Sequence, residues 1–340
     1  MILCAVRGGE IKTVHVINSC HLDIGFADSS AGIVNRYFDS HFPRAIEVNA
    51  ELRKNDNYTD SKLNFMFQSW MIDLYLNCPS GWGLHCPSST QIRDFEDAIR
   101  TDSITWHAFP HNAQLEIMGR TMIDLGLNLT FELDDRFNKS RKKTLSQRDV
   151  PGLTRSLIPI LLARNVSGIT IGANDGSTPP NVPPCFKWVD PSTGKSMVVL
   201  FTWPGYGEIK DGSIHEKQMQ CVVDGLEHAL VYNWNGDNAG PFSSEVYVEK
   251  WQSIQNAFPG AEIIASTFDN FTQHLYDPEV YANLPVISSE IGDTWIYGVP
   301  SDPQKVQRMR VMNREWTNYL QQHSMDDDLR NATRFFLKAG

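Results

Sequence analysis

A chain of 340 residues, with 41% hydrophobic and 21% charged side chains, is long enough to bury a large single core and too apolar to be disordered. A net charge of −10 argues against a nucleic-acid or anionic-membrane surface. No apolar run approaches the roughly 18 residues that a membrane span needs.

The opening "MILCAVRGGEIKTV" carries no basic n-region and does not read as a signal peptide. Asn-x-Ser/Thr sequons nevertheless occur at Asn57, Asn128, Asn138, Asn165, Asn270 and Asn331. Cys78 and Cys86 flank a loop short enough for a disulfide to close. Together these place the expectation in the secretory pathway, extracellular or vacuolar/lysosomal, with the leader outside this chain.

Eight apolar, β-branched or aromatic runs follow one another: residues 13–19, 63–69, 103–109, 167–173, 196–203, 228–235, 261–267 and 284–290. Their near-continuous hydrophobicity suits strands buried on both faces of a parallel sheet. Helical spacing fills most of the gaps, at 32–54, 89–100, 112–126, 154–165, 214–227 and 244–258. The basic stretch 138–148 reads as a solvated loop. This alternation predicts an α/β fold, either a distorted seven- to eight-stranded, mostly parallel β/α barrel or a large doubly wound sheet, over residues 1–300. After it, Ser301, Asp302 and Pro303 supply N-cap and N1 chemistry for a helical segment, 301–340, that reads as the start of a bundle.

In α/β folds the chemistry sits at the carboxyl ends of the strands. Here the first strand delivers His21 and Asp23; their spacing fits a metal half-site, a base with its orienting carboxylate, or a purely structural hydrogen bond. Later strand ends deliver His107, His111 and Asn112; Asp149; Asn174 and Asp175; Trp203; Asp237 and Asn238; and Asp293, Trp295 and Tyr297. Acids and aromatics, without a phosphate-cradling glycine loop, suit a neutral polyhydroxylated ligand such as an oligosaccharide or glycoside.

Four of these stretches carry a resemblance. "HLDIGF" (21–26), "LSQRDVPGLTRSLIPILLARNVSGI" (145–169), "LVYNWNGDN" (230–238) and "SEIGDTWIYGVPSDPQKVQRMR" (289–310) are similar, in order, to segments of family 38 glycoside hydrolases, the retaining zinc-dependent α-mannosidases. The resemblance implies one Zn2+ held by His21, Asp23 and Asp149, with Asp149 also the nucleophile, and Phe26 stacking on the sugar. It also implies departures. The fourth ligand, a histidine in that family, falls on Asp293, which makes the site harder and more anionic. The general acid falls on Asn238 in strict register, with Asp237 next to it as the acid this chain can offer. The family's histidine after the nucleophile turn is absent from "DVPGL". His107, His111, Asn112, Asp175, Trp203, Asn238, Trp295 and Tyr297 are the expected substrate contacts.

Two other functions compete with α-mannoside hydrolysis. One is a carbohydrate-binding domain with impaired catalysis. The other is a zinc-dependent sugar deacetylase, for which His107 and His111 are spaced as on a helical turn.

Overall fold

The computed structural model describes residues 10–54, 63–207, 220–292, 294–323, 326, 328, 329 and 332. Its strands are β1 (Thr13–His21), β2 (Phe65–Met66), β3 (Ile104–Thr105), β4 (Thr144–Arg148), β5 (Gly168–Gly172) and β6 (Cys185–Asp190), then β7 (Lys195–Thr202), β8 (Gln220–Val222), β9 (His228–Asp237), β10 (Glu262–Ala265) and β11 (Val286–Ile287). All eight expected runs contribute a strand. Their ladders form two mostly parallel sheets: β3-β2-β1-β9-β8, with β10 also against β1, and β11-β6-β7-β5-β4. Every pairing is parallel except β6 with β7 and β8 with β9. The sheets meet edge to edge through isolated backbone bonds. Ala108 N–H donates to the Thr144 carbonyl at 2.9 Å, and Trp234 N–H to that of Gly207 at 3.3 Å.

β1 is the central element, because β9 lies along one side for its whole length while β10 and β2 share the other. Val14 and Val16 pack with Ile254 of the helix Ser244–Ala257 on one face. Ile17 packs with Phe268 and Phe271 on the other. Both faces are covered, which is why the run is apolar throughout.

Three strands lay outside the sequence expectation. β4, "TLSQR", falls in the stretch read as a solvated basic loop, yet all its residues are buried. Its polar side chains find partners inside: Gln147 accepts from Ala113 N–H at 2.8 Å, and Arg148 donates to Thr170 at 3.0 Å. β6 forms a hairpin with β7. β8 lies where helical spacing over 214–227 predicted a helix; pairing with β9 overrides that spacing at 220–222.

The helix expected at 112–126 starts later, at Arg120, and runs to Arg136. Asn112 and Ala113 are drawn over the end of β4 by bonds to Arg148 and Gln147, so the segment cannot enter a helix there. The stretch 32–54 is helical with a π turn at Tyr37–His41. Pro303–Gln322 forms a helix capped by Asp302, whose carboxylate accepts from Lys305 N–H. It packs on Arg120–Arg136 through Thr317 and Thr121, 2.9 Å apart. Cys78 and Cys86 are disulfide-bonded, as expected, with their Cα atoms 5.6 Å apart. No helix among the described residues is long and apolar enough to cross a membrane.

The turn after β4 is clamped to the segment that leads into Trp295. Leu153 N–H donates to the Ile291 carbonyl at 2.9 Å, and Gly152 lies so close that a Cβ there would collide with the backbone of Ile291 and Gly292. Gly152→Ala is therefore expected to destabilise the fold by about 3 kcal/mol, since backbone on both sides must move. Denaturant unfolding of the variant against the parent measures it.

Candidate functional site

At the carboxyl ends of β1 and β4 the chain opens a cleft of about 460 Å³, lined by His21, Asp23, Ser30, Trp70, His111, Asn112, Gln114, Arg148, Asp149 and Trp295 among others. β1 carries His21 into it, almost fully buried. Asp149 follows β4 directly, in the left-handed region at φ 71°, its N–H still bonded to the Gly172 carbonyl at 2.9 Å. An aspartate tolerates that backbone better than most residues.

The Asp149 carboxylate is fixed from one side. Its Oδ1 accepts from the Tyr206 hydroxyl at 2.8 Å and from Asn174 Nδ2 at 2.9 Å. Asn174 is itself oriented, because its Oδ1 accepts from Gly176 N–H at 2.7 Å. The other oxygen, Oδ2, faces His21 Nε2 at 3.7 Å. Burial pushes the Tyr206 hydroxyl far above its usual pKa, reinforced by its bond to Asp149, so it stays a proton donor to the carboxylate. Burial likewise lowers the pKa of His21, against the opposing pull of Asp149, Asp237 and Asp23. Asp23, half-exposed, is raised first by burial and then by Asp237 and Asp149, with His21 opposing.

Arg148 lies inside the fold, fully buried among the rings of Trp234, Tyr232 and Phe268, at 4.6, 5.4 and 5.7 Å from their centroids. Burial brings its pKa down to about 10, so the guanidinium remains charged at neutral pH. It adds a cation beneath an otherwise acidic mouth.

Asn238 ties β1 to β9 rather than facing the cleft. Its Nδ2 donates to the Asp23 carbonyl at 2.7 Å and its Oδ1 accepts from Asp23 N–H at 3.1 Å. Its own N–H donates to the His21 carbonyl at 2.8 Å, and its carbonyl accepts from His41 Nε2 at 2.9 Å. Both amide atoms are thus engaged with backbone. That corrects the expectation of Asn238 as a substrate contact. Asp237 is exposed and pairs in register with His21 across a bulge.

The remaining expected contacts scatter. His111, Asn112 and Trp295 line the cleft. His107 does not: it is fully buried, and its Nδ1 accepts from Phe109 and Ser146 N–H, each at 3.3 Å. Burial, with Arg148 and His111 nearby, lowers it to about 3. The segment from His107 to His111 is not helical, so the helical-turn spacing expected of a deacetylase's histidine pair is not realised. Phe26 is 85% exposed, and Phe26, Asp175 and Trp203 are absent from the cleft lining. Asp293 and the Tyr297 side chain lie outside the described residues.

The donor set fits a metal in part. Ligands about 2.0–2.2 Å from a tetrahedral ion stand roughly 3.3–3.6 Å apart, close to the 3.7 Å between His21 Nε2 and Asp149 Oδ2. The bonds to Asp149 Oδ1 are the outer-shell support such a ligand uses. With an ion on Nε2 the His21 ring proton sits on Nδ1, 3.4 Å from Asn112 Nδ2, a weak contact that would open. His21, Asp23 and Asp149 do not together bring their donor atoms within 4.8 Å, so Asp23 would have to turn inward.

With the geometry established, known proteins were compared. No family model and no curated relative matches the chain. Among solved structures, an α-mannosidase from Enterococcus faecalis V583 aligns at TM-score 0.57 and 14% identity, over 82% of this chain and 31% of that one. A 4-alpha-glucanotransferase from Thermococcus litoralis aligns at TM-score 0.51 and 8% identity, over 90% of this chain and 45% of that one. The likeness is one of fold. The chain spans under half the length of either neighbour.

Sequence reasoning did not single out Tyr206, Trp70 and Arg148. Tyr206 follows β7 in "TWPGYG", so the strand-end rule reached the right loop and settled on Trp203. Trp70 lies in the first turn of the helix Ser69–Leu76, whose apolar composition reads as core. Arg148 sat in a basic stretch and was read with it.

Asn238→Ala is expected to cost about 3 kcal/mol, since it strands the Asp23 peptide groups and puts alanine at φ 50°. Asn238→Gly keeps the backbone and is expected to cost less. Thermal unfolding of the two variants distinguishes the clamp from a surface position, where both changes would be neutral.

Proposed function

We propose that the cleft hydrolyses α-mannoside-type glycosidic bonds with retention, assisted by a metal ion. The observation that carries this reading is the Asp149 carboxylate, held by Tyr206 and Asn174 with its second oxygen turned to His21 and the cleft between Trp70 and Trp295. The shared fold of the mannosidase from E. faecalis supports the class of chemistry, and the resemblance of the motifs supports the sugar.

Asp149 attacks the anomeric carbon, and the glycosidic bond breaks as a glycosyl ester forms on its carboxylate. Asp237 gives a proton to the departing oxygen, then withdraws one from the water that cleaves the ester. Trp295 packs on the apolar face of the ring. His21, Asp23 and Asp149 would hold the ion, with Asp293 as the fourth ligand. When bound it supplies positive charge for sugar hydroxyls and for charge developing at the ring. Tyr206 and Asn174 keep one Asp149 oxygen neutralised by hydrogen bonds, so the carboxylate presents a single aimed oxygen.

A second reading, sugar binding without efficient turnover, is favoured by Asn238. It occupies the acid's register, and its amide is spent on the backbone of Asp23.

Hydrolysis of an aryl α-mannoside decides between them. Asp149→Asn is expected to lower kcat by roughly 10³-fold or more, and chelation to lower it reversibly. Asp237→Asn is expected to abolish turnover of poor leaving groups while sparing activated aryl glycosides in part. No turnover by the parent chain, with retained sugar binding, selects the second reading.

We place the protein in the secretory pathway. The Cys78–Cys86 disulfide and the exposure of Asn128, Asn138, Asn165 and Asn270 support this. Protein from a secreting eukaryotic host should lose mass on endoglycosidase treatment; an unchanged mass rejects glycosylation at these sites.

A further inference from the structure

Opposite the cleft, at the amino ends of the same strands, three histidines converge. His15 lies near the start of β1, and His228 opens β9. His274 sits in the single 3-10 turn Gln273–Tyr276, which follows the helix Phe268–Thr272. One nitrogen from each lies within 4.8 Å of the others, the only group of three or more His, Cys, Asp or Glu donors that meets this spacing among the described residues.

The geometry points to a second metal site, in which His15, His228 and His274 bind a borderline divalent ion, Zn2+ foremost, through three neutral imidazoles. Three nitrogen ligands with a fourth position open suit Zn2+, Cu2+ or Ni2+ and not Ca2+ or Mg2+, which take oxygen.

His15 is already set for this. Its Nδ1 lies 2.8 Å from Ser266 Oγ, and as donor there it leaves the Nε2 lone pair facing His228. Nε2 stands 3.1 Å from His228 Nδ1. That is a hydrogen-bond distance in the free protein, and close to the roughly 3.3 Å between two nitrogen ligands of one tetrahedral ion. The ion would replace the shared proton, which moves to the far nitrogen of His228, so no ring needs to be ionised or far displaced. The His228 and His274 rings stack at 3.7 Å between centroids, and His274 turns from that stack to bind.

His15 and His274 are biased toward the unprotonated form that metals bind. Burial first, then His228 and His274, brings His15 down to about 4, and burial lowers His274 as well. The two partly exposed histidines border a cavity of about 650 Å³ whose wall includes Asp224, Glu227, Asp277 and Glu279. Those carboxylates would draw a cation in, and water from the cavity would complete its coordination. The site is distinct from the mouth. His21 lies six residue steps along β1 from His15, about 20 Å of strand. Its ion would tie the turn at 273–276 to β1 and β9, which are already joined to each other by their parallel ladder.

Equilibrium dialysis of the full chain against Zn2+ tests the inference, with Asp149→Asn and His21→Ala removing the mouth as a competing site. The expected result is one bound equivalent that survives both of those changes. Separate His228→Ala and His274→Ala substitutions, both at partly exposed positions and so compatible with folding, should weaken it more than about 100-fold, since even outer-shell partners are worth roughly 10–100-fold. Co2+-loaded protein should show the visible bands of a nitrogen-rich four-coordinate site, lost in His274→Ala. Zn2+ should also raise the thermal midpoint of the Asp149→Asn variant. Either histidine substitution leaving affinity unchanged, or binding abolished by the mouth variants alone, overturns the proposal.

Discussion

The parallel pairing of β1 with β9 is the constraint on which both ends of the molecule depend. It runs from Thr13 against His228 to His21 against Asp237, with one bulge just before the end. A slip of one residue would turn every β1 side chain to the opposite face, sending Ile17 away from Phe268 and His21 away from Asp149. Register here is enforced by burial on both faces, so the apolar middle of the strand fixes the position of polar groups at either tip. The bulge then lets His21 and Asp237 meet across a count that does not otherwise match, a common device where a sheet must re-aim a side chain.

What the pairing cannot do alone is hold the chain once the strands end. Asn238 does that by taking the place of a missing strand residue. Its side-chain amide offers Asp23 one donor and one acceptor, as a neighbouring backbone would. Each such bond is worth about 1 kcal/mol net, but each would cost more if left unmade in a buried place. His41 then holds the Asn238 carbonyl, and Gly240 lies so close to His41 that a side chain there would strike its ring. The loop is thus specified by four residues from three elements. On the other flank of the cleft Leu153 and Ile291 play the corresponding part, so the mouth is fixed from both sides.

Much of this was legible in the sequence because it rests on patterns that act locally. Apolar runs announce strands, and all eight produced one, although β10 and β11 are partly exposed rather than buried on both faces. Asp302 before Pro303 announces a helix start, and Asp302 caps that helix. His21 and Asp23 stand out because they follow an apolar run, whereas Asp149 follows a polar stretch and stood out through its motif. What escaped depends on contacts distant in sequence. β4 is polar in composition yet buried, because Thr170, Ala113 and Asn112 satisfy it from elsewhere. Asn238 reads as a site residue on spacing, and only the position of Asp23 makes it structural. His15, His228 and His274 are separated by more than 200 residues at the extremes, and no local period links them.

The charges follow from the same arrangement. An acidic mouth holding Asp23, Asp149 and Asp237 around one histidine would favour protonating that histidine, which would form an ion pair and close the gap to Asp149. Two features work against it. Burial of His21 penalises the imidazolium, and Arg148 beneath it adds a positive charge that also opposes its protonation. Among the described residues Arg148 forms no ion pair; it donates to the Gln147 carbonyl at 2.9 Å and to Thr170 and lies against three aromatic rings, while its Nε has no hydrogen-bond partner. A buried guanidinium so placed is costly unless its field is used. Here that field adds to burial in lowering the pKa of His21, against the raising influence of the three aspartates. His21 Nε2 and Asp149 Oδ2 face one another at 3.7 Å, the closest approach of the two side chains that the metal reading of the mouth draws on. Tyr206 and Asn174 hold the carboxylate on one side and the β1–β9 register holds the imidazole on the other, so the spacing is set by two independent parts of the fold.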